Sequence, residues 1–385
     1  MRPSKGNLQA DIVIIGAGVA GLSTAYHLAR DSRSRILILE SEKILGGHAS
    51  GRNAGMIRQT VSDPFLARMS LLGRQAFVRA SKSGWERIKF LSNGSLLLAG
   101  KDKLHEIKKI KRVTERLGIA TRWLSKEEVA AKAPLVGEAS YQRALFCPSD
   151  ALLETKPLLE SFQAKLRRLG VGLLLGVTPL KITSSDGAFD IDLGNKIIQA
   201  KKIVNATGAW SSLLAAGIQA QEVPLQAYRR HLSVTHALGM KHGQWPFVWD
   251  LSRDFYFRPE GKGVLLSPCD KAVVGRKILS KKKETTDAGI KKVLIQKMKN
   301  YSPQMGRLKI KFTKSGLRTM VPDGRFVIGE DAKLANFYWV AGLGGHGVTT
   351  CFSVGKLSSD IILGKRVDAG LVKAFSPKRF LKKKR

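Results

Sequence analysis

Six residues near the start of the chain, Gly16-Ala17-Gly18-Val19-Ala20-Gly21, have the types and spacing to hold a phosphate. Gly16 makes a tight turn, Gly18 leaves the backbone open to a pyrophosphate, and Gly21 lets a following helix sit close to the preceding strand. Glu40 stands nineteen residues after Gly21, where a carboxylate accepts hydrogen bonds from the ribose of an adenosine and favours a free 2′-hydroxyl over a 2′-phosphate. A second glycine-rich loop, Gly46 to Gly55, carries Ser50, Gly51, Arg52 and Asn53. Its small residues permit close approach of backbone to a flat cofactor, and its polar side chains can hydrogen-bond phosphate or a ring edge. Further along stand Ala206-Thr207-Gly208-Ala209-Trp210 and Gly344-Gly345-His346-Gly347-Val348-Thr349. This is the chemistry of a dinucleotide site, and NAD and FAD are both open at this point.

Elements of the right kind flank these residues. Ile12-Val13-Ile14-Ile15 is β-branched without polar alternation, as in a parallel strand buried on both faces. Leu22 to Ala29 lacks Gly and Pro and continues the glycine turn as a helix, whose partly positive N-terminus faces the phosphates. Ile36-Leu37-Ile38-Leu39 is the next strand and delivers Glu40 at its end. Ile203 to Ser211 repeats the logic of strand, small-residue turn and helix. Phe337 to Ala341 is a strand that leads through the Gly344 to Gly347 loop into a last helix ending near Leu363.

Between these blocks the pattern predicts a helix from Pro64 to Ile88 with Phe65, Leu72, Phe77 and Trp85 on one face, a strand over Ser95 to Ala99, and an amphipathic helix over Lys101 to Leu117. Ser125-Lys126-Glu127-Glu128 is a capping box. A helix is expected over Leu152 to Leu169, a hairpin over Phe189 to Ala200, alternating strands over Pro224 to Asp270, and a basic helix over Asp287 to Lys299.

With 385 residues the chain is long enough for two lobes. Its 66 Lys plus Arg against 30 Asp plus Glu give a formal charge of +36, which favours polyanions and anionic surfaces. The lysines run along amphipathic helices without a nucleic-acid-binding motif, so no specific nucleic acid is expected, with room for weak peripheral contact with a membrane. Two true clusters, Lys281-Lys282-Lys283 and Lys382-Lys383-Lys384-Arg385, read as a loop and a tail. Cys147, Cys269 and Cys351 are odd in number and far apart, which argues against a disulfide framework or a zinc site and fits a reducing cytoplasm. No apolar run is long enough to cross a membrane.

In order along the chain, the fingerprint with Glu40 and the Gly46 to Gly55 loop, the Val204 to Trp210 block, and the block from Gly316-Leu317-Arg318 through Pro322-Asp323-Gly324 to Gly347 resemble the D-amino-acid oxidase and glycine/sarcosine oxidase superfamily of flavoproteins. Arg229-Arg230, Trp245-Pro246, Phe255-Tyr256, Ser267-Pro268 and Ser376 to Phe380 resemble its D-arginine dehydrogenase-like members. The resemblance covers nearly the whole chain. It implies FAD rather than NAD, an α/β (α+β) fold, and oxidation of a C–N bond in an amino acid. The Gly344 to Gly347 loop suits that cofactor, because backbone N–H groups at a helix head stabilise negative charge on a reduced ring.

The resemblance places Arg318 as the clamp for a substrate carboxylate, Tyr256 in the active site, and Arg229 or Arg230 as a second cation, with Arg230 the choice. His346 sits among glycines whose work is done by backbone, so its imidazole is not expected to act as a base. Ser95 replaces an acid that would hold a guanidinium, and Met56 and Val61 replace polar groups, so a small or apolar amino acid is the expected substrate. Gly316 and Arg52 stand near positions where relatives carry flavin-linking residues, so the FAD is expected to be non-covalent.

The expected architecture is a discontinuous Rossmann-like FAD-binding domain (1–85, 148–222 and 312–370), a sheet-rich substrate domain (86–147 and 223–311), and a basic tail (371–385). The expected reaction yields an imino acid, hydrolysed to a 2-oxo acid and ammonia, with a quinone, an electron carrier or oxygen as acceptor. The expected location is the cytoplasm, with contact at the inner face of the membrane left open. Two rivals remain: oxidation of a secondary amine such as sarcosine, and a basic polyanion- or membrane-surface-binding protein with a structural flavin.

Overall fold

A computed structural model describes residues 6–85, 88, 90–137, 139–280 and 286–381. The two basic clusters at 281–283 and 382–385 lie outside them. The strand Gly6–Ile15 is the centre of an eight-stranded sheet and pairs in parallel with Ile36–Glu40 on one side and Lys196–Asn205 on the other. Phe337–Ala341 extends this sheet by pairing in parallel with the end of Lys196–Asn205, and Val327–Glu330 lies beyond it.

The absence of polar alternation in the first strand has a direct structural cause. Ile12 and Ile14 enter a core beneath the helices, whereas Val13 and Ile15 enter a second core on the opposite face. Ile36 and Ile38 divide from Leu37 and Leu39 in the same way. Covering both faces is what a parallel sheet requires. The helices that roof the first core include Val19–Asp31, Pro64–Lys82 and Gly347–Ile362. Their contacts are close because glycines make them. A Cβ on Gly355 would lie 2.2 Å from Ser23 Oγ, and one on Gly73 would lie 2.1 Å from the Thr349 carbonyl oxygen.

A nine-stranded sheet forms the second layer, in the order Ala272–Val274, Gln226–Thr235, Gly263–Ser267, Phe255–Glu260, Phe247–Asp250, Ser95–Ala99, Arg143–Cys147, Arg122–Trp123. The strand Ile310–Met320 also belongs here, pairing along the length of Gln226–Thr235. A small sheet of Met56–Ile57, Ala151–Leu153 and Phe90–Leu91 stands apart from both. The fold is therefore mixed α/β, with a discontinuous Rossmann-like part and a sheet-rich part.

Three helices differ from the sequence pattern. The helix from Pro64 ends at Lys82, because Gly84 turns the chain at φ 70°. Trp85 lies beyond it, edge-on to Tyr26 and Phe162 at 5.0 Å each, and Leu72 is 37% exposed. The run Ala151–Leu153 is a strand, since its pairing with Met56–Ile57 and Phe90–Leu91 overrides helix propensity, and the helix begins at Thr155. The basic helix runs over Ile290–Tyr301, later than the pattern suggests. The capping box at Ser125 is present in both directions, Ser125 Oγ accepting from Glu128 N–H and Glu128 accepting from Ser125 N–H.

Candidate functional site

A cavity of about 530 Å³ runs along the carboxyl ends of the parallel strands, where ligands bind in open α/β sheets. Gly16, Gly18 and Ala20 line it at one wall, with Glu40, Ser50, Arg52 and Asn53 beside them. Ala206, Thr207, Gly208 and Trp210 form another wall, and Arg318, Gly344, Gly345, Gly347 and Val348 stand farther along. Gly21, Gly51, His346 and Thr349 do not line it. Gly21 and Gly51 act from behind: a Cβ on Gly21 would strike the Gly16 carbonyl at 2.0 Å, and one on Gly51 the Gly46 carbonyl at 2.1 Å. Thr349 ties the closing helix to the small sheet, its Oγ1 accepting from Arg58 N–H at 3.0 Å and donating to the Met56 carbonyl at 3.1 Å.

The side chains that meet the fingerprint turn do different work. Glu40 is fixed at the end of its strand by Ala17 N–H at 2.7 Å and Glu42 N–H at 2.9 Å. Ser50 Oγ accepts from Val19 N–H at 3.0 Å, so it caps the fingerprint helix. The amide of Asn53 is spent inside its own loop, on the carbonyls of Ala49 and Ser50 and the N–H of Gly55, which corrects its reading as a ring-edge ligand. His48 leans on Trp210, ring centroids 4.5 Å apart, and bonds Glu42 at 3.1 Å.

The glycines test whether a flat cofactor fits. Gly345 and Gly347 have no positive φ, and the nearest atoms to a Cβ built on them are 3.8 Å and 3.6 Å away. Nothing within the chain requires glycine there. A planar ring laid against the backbone does, and the N-terminus of the Gly347–Ile362 helix opens at the same place. The residues present fit FAD.

Arg318 lies on Ile310–Met320, whose alternation puts Gly316, Arg318 and Met320 on one face. That face meets the two glycine loops: a Cβ on Gly316 would lie 2.4 Å from the Arg52 carbonyl, and Arg318 Nε is 3.8 Å from where Gly345 would carry one. Gly344 N–H donates to the Thr319 carbonyl at 2.9 Å and locks loop to strand. The half-buried Arg318 guanidinium has no carboxylate partner among the described residues. Tyr256 is fully buried, its ring 4.9 Å from Trp249, and its hydroxyl has no hydrogen-bond partner among the described residues. Arg230 pairs with Gly316 across the sheet, on the strand face that carries Arg318, and its Nε donates to the Asp270 carbonyl at 2.9 Å.

A further cation, Arg58, stands two residues beyond cavity-lining Met56, and sequence reasoning did not single it out. It follows the strand Met56–Ile57, and its guanidinium lies over the Trp249 ring at 4.1 Å. Period two from Met56, already suspected of facing the substrate, was the available signal. Burial pushes the Arg58 pKa down to about 10, against the pull of Asp150, so it stays cationic at neutral pH. Burial, then the charges of Arg58 and Arg318, push His346 down to about 3. Its imidazole is neutral and sits close to both arginines.

Fold and cavity together define a flavoprotein oxidoreductase, an FAD-binding α/β part joined to a sheet whose strand Ile310–Met320 lines the cavity. A family model described as FAD dependent oxidoreductase (DAO) matches residues 11–361, and the chain belongs to that family. It is 23% identical over 356 residues to 4-methylaminobutanoate oxidase (formaldehyde-forming) of Paenarthrobacter nicotinovorans, covering 89% of this chain and 42% of that one. It is 25% identical over 372 residues to the mitochondrial dimethylglycine dehydrogenase of Homo sapiens, covering 92% and 42%. The chain thus spans about two-fifths of the length of these curated relatives. Glycine oxidase from Geobacillus kaustophilus superposes with a TM-score of 0.84 at 20% identity, over 97% of this chain and all of the other. These matches carry the superfamily resemblance and the FAD; they do not carry the finer likeness to D-arginine dehydrogenase. Among the described residues, no helix is long and apolar enough to cross a membrane.

Proposed function

We propose that this chain oxidises the C–N bond of an amino acid. The observation that carries the reading is the Arg318 guanidinium, half-buried beside Gly345 at the end of the cavity and without a carboxylate to pair with among the described residues. A planar fork of N–H donors suits a carboxylate bidentately. In this reading the Gly16 to Gly21 turn and the head of the Val19–Asp31 helix hold the pyrophosphate of FAD, Glu40 takes the ribose, and the Gly344 to Gly347 loop lies against the ring. FAD supplies a two-electron acceptor for the hydride that leaves Cα.

The protein's own part is positioning. Arg318 fixes the carboxylate, and with it the direction of the Cα–H bond. Tyr256, buried without a partner for its hydroxyl, offers one further donor to the substrate. His346 is neutral and takes no proton near neutral pH; an amino acid that binds with its amine already neutral needs no strong protein base. The resulting imino acid hydrolyses in water to a 2-oxo acid and ammonia.

A second reading, a secondary amine such as an N-methyl amino acid, is favoured by the printed names of the relatives from Paenarthrobacter nicotinovorans and Homo sapiens. One anaerobic screen tests both. The FAD-loaded protein is mixed with D- and L-amino acids, glycine and their N-methyl forms, and the flavin absorbance is followed. Bleaching by a primary amino acid supports the first reading, and bleaching by N-methyl forms alone supports the second. No bleaching by any of them, with salt-steep polyanion binding instead, returns the protein to a binding role.

A further inference from the structure

We propose that the substrate carries a second carboxylate, and that Arg58, stacked on Trp249, holds it. This rests on the reading of Arg318 as the clamp for the first.

Arg58 and Arg318 are two cations close enough that both act on His346 and on each other. Charges partly withdrawn from water are ordinarily paired or hydrogen-bonded, yet both arginines are half-buried and neither guanidinium bonds a carboxylate among the described residues. The acid best placed to answer Arg58 is Asp150, and its lone pairs are already committed. One oxygen accepts from Gln59 N–H at 2.9 Å and Gln59 Nε2 at 3.0 Å, the other from Ser95 Oγ at 2.6 Å and Thr60 Oγ1 at 3.3 Å. Asp150 is fully buried, so it moderates the charge of Arg58 from behind without occupying its N–H groups. Glu106, the other acid whose charge reaches Arg58, is paired with Lys103 at 3.3 Å.

The two arginines also come from different elements. Arg318 rises from Ile310–Met320 toward Gly345 in the glycine loop. Arg58 lies over Trp249, which belongs to Phe247–Asp250 and packs on Tyr256 at 4.9 Å. Stacking holds the guanidinium plane by its face and leaves its N–H edge for a planar anion. The committed state of Asp150 bears on a rival substrate too. It stands beside Ser95, where an acid facing the cavity would recognise a basic side chain, and instead it is sealed. The site is therefore built for an acidic amino acid, with the second carboxylate on the side chain or on a substituent of the nitrogen.

Matched acids and amides test this. The FAD-loaded protein is reduced anaerobically by aspartate and asparagine, by glutamate and glutamine (both enantiomers of each), and by N-carboxymethylglycine and its mono-amide. The readout is the ratio of second-order reduction rates within each pair. The expected result is an acid-to-amide ratio of roughly ten to a hundred in at least one pair, the worth of a charge-assisted hydrogen-bonded pair. Arg58→Gln should collapse that ratio toward one, and Arg58→Lys should keep part of it. Binding of succinate against butyrate, read from the shift in flavin absorbance, gives the same comparison without turnover. An acid-to-amide ratio near one in every pair in the parent protein overturns the proposal even if Arg58→Gln fails to fold. So does a ratio that Arg58→Gln leaves intact, or an equal fall for acid and amide, which would mean that both arginines share one carboxylate. If no amino acid reduces the flavin, the functional reading itself fails and this proposal falls with it.

Discussion

Replacing Arg318 by Leu removes the guanidinium and leaves a shorter, apolar side chain on the same strand face. The structure sets the size of the effect. Arg318 makes no ion pair among the described residues, so the loss should fall on the substrate and appear in catalysis rather than stability. Truncating one partner of a desolvated charge-assisted pair costs about 2–5 kcal/mol, or roughly thirtyfold to several thousandfold in kcat/KM at ~1.4 kcal/mol per decade. Flavin content should be unchanged, because the ring and pyrophosphate contacts come from other segments. Arg318→Lys should recover only part of the rate, since an ammonium keeps the charge and loses the planar fork. The assay is anaerobic flavin reduction across a concentration series of the best amino acid, with an amine lacking the carboxylate as control. The control should be a poor substrate for the parent and nearly indifferent to the mutation. If Arg318→Leu binds FAD and is reduced as fast and at as low a concentration as the parent, the carboxylate is held elsewhere and the functional reading loses its main support.

Gly18→Val should purify colourless, because a branched side chain would occupy the wall where the pyrophosphate lies and its Cβ already meets Ser50 Oγ at 3.0 Å; a yellow, FAD-loaded variant contradicts the assignment of the turn. Acid precipitation of the parent should leave all flavin in the supernatant, since neither Gly316 nor Arg52 offers a linking atom, and colour in the pellet would disprove non-covalent binding. His27 is held by burial, then by the charge of Arg30, at a pKa of about 4. A pKa depressed in the fold means that the unfolded chain takes the proton first: this contribution is complete above the unfolded value of about 6.5 and is lost as pH falls through the folded one. At pH 5 the cost is about 2 kcal/mol. His27→Leu should therefore narrow the gap between the melting temperatures at pH 7.5 and pH 5, and an unchanged gap would refute the assignment.

The cofactor half of the site was legible in the sequence because its requirements are backbone requirements. Gly16, Gly18 and Gly21 have jobs that no other residue does, and a strand buried on both faces announces itself through Ile12 to Ile15. The substrate half was less legible, because its residues are brought together by pairing across long separations. Arg318 was found through its motif, but Arg58 became visible only with Trp249 beneath it. Arg230, expected as a second cation, carries a bond from its Nε to the Asp270 carbonyl that no sequence pattern announces. The misplaced helix at Leu152 has the same origin: three apolar residues were helical by composition and were claimed by strands about 60 to 100 residues earlier.

The contact of Gly355 with Ser23 joins residues 332 positions apart. At about 5–20 residues per second, the ribosome delivers the covering helix roughly 15 to 70 s after the segment it covers. Throughout that interval the phosphate turn exists as sequence but not as a finished site: the Gly347–Ile362 helix, which roofs the core and carries the ring-side loop at its head, has yet to arrive. A nascent chain of this design must keep the uncovered apolar face of its first βαβ unit from aggregating for most of its synthesis. A frameshift or stop codon near residue 340 should therefore disable the N-terminal fingerprint as thoroughly as a substitution within it.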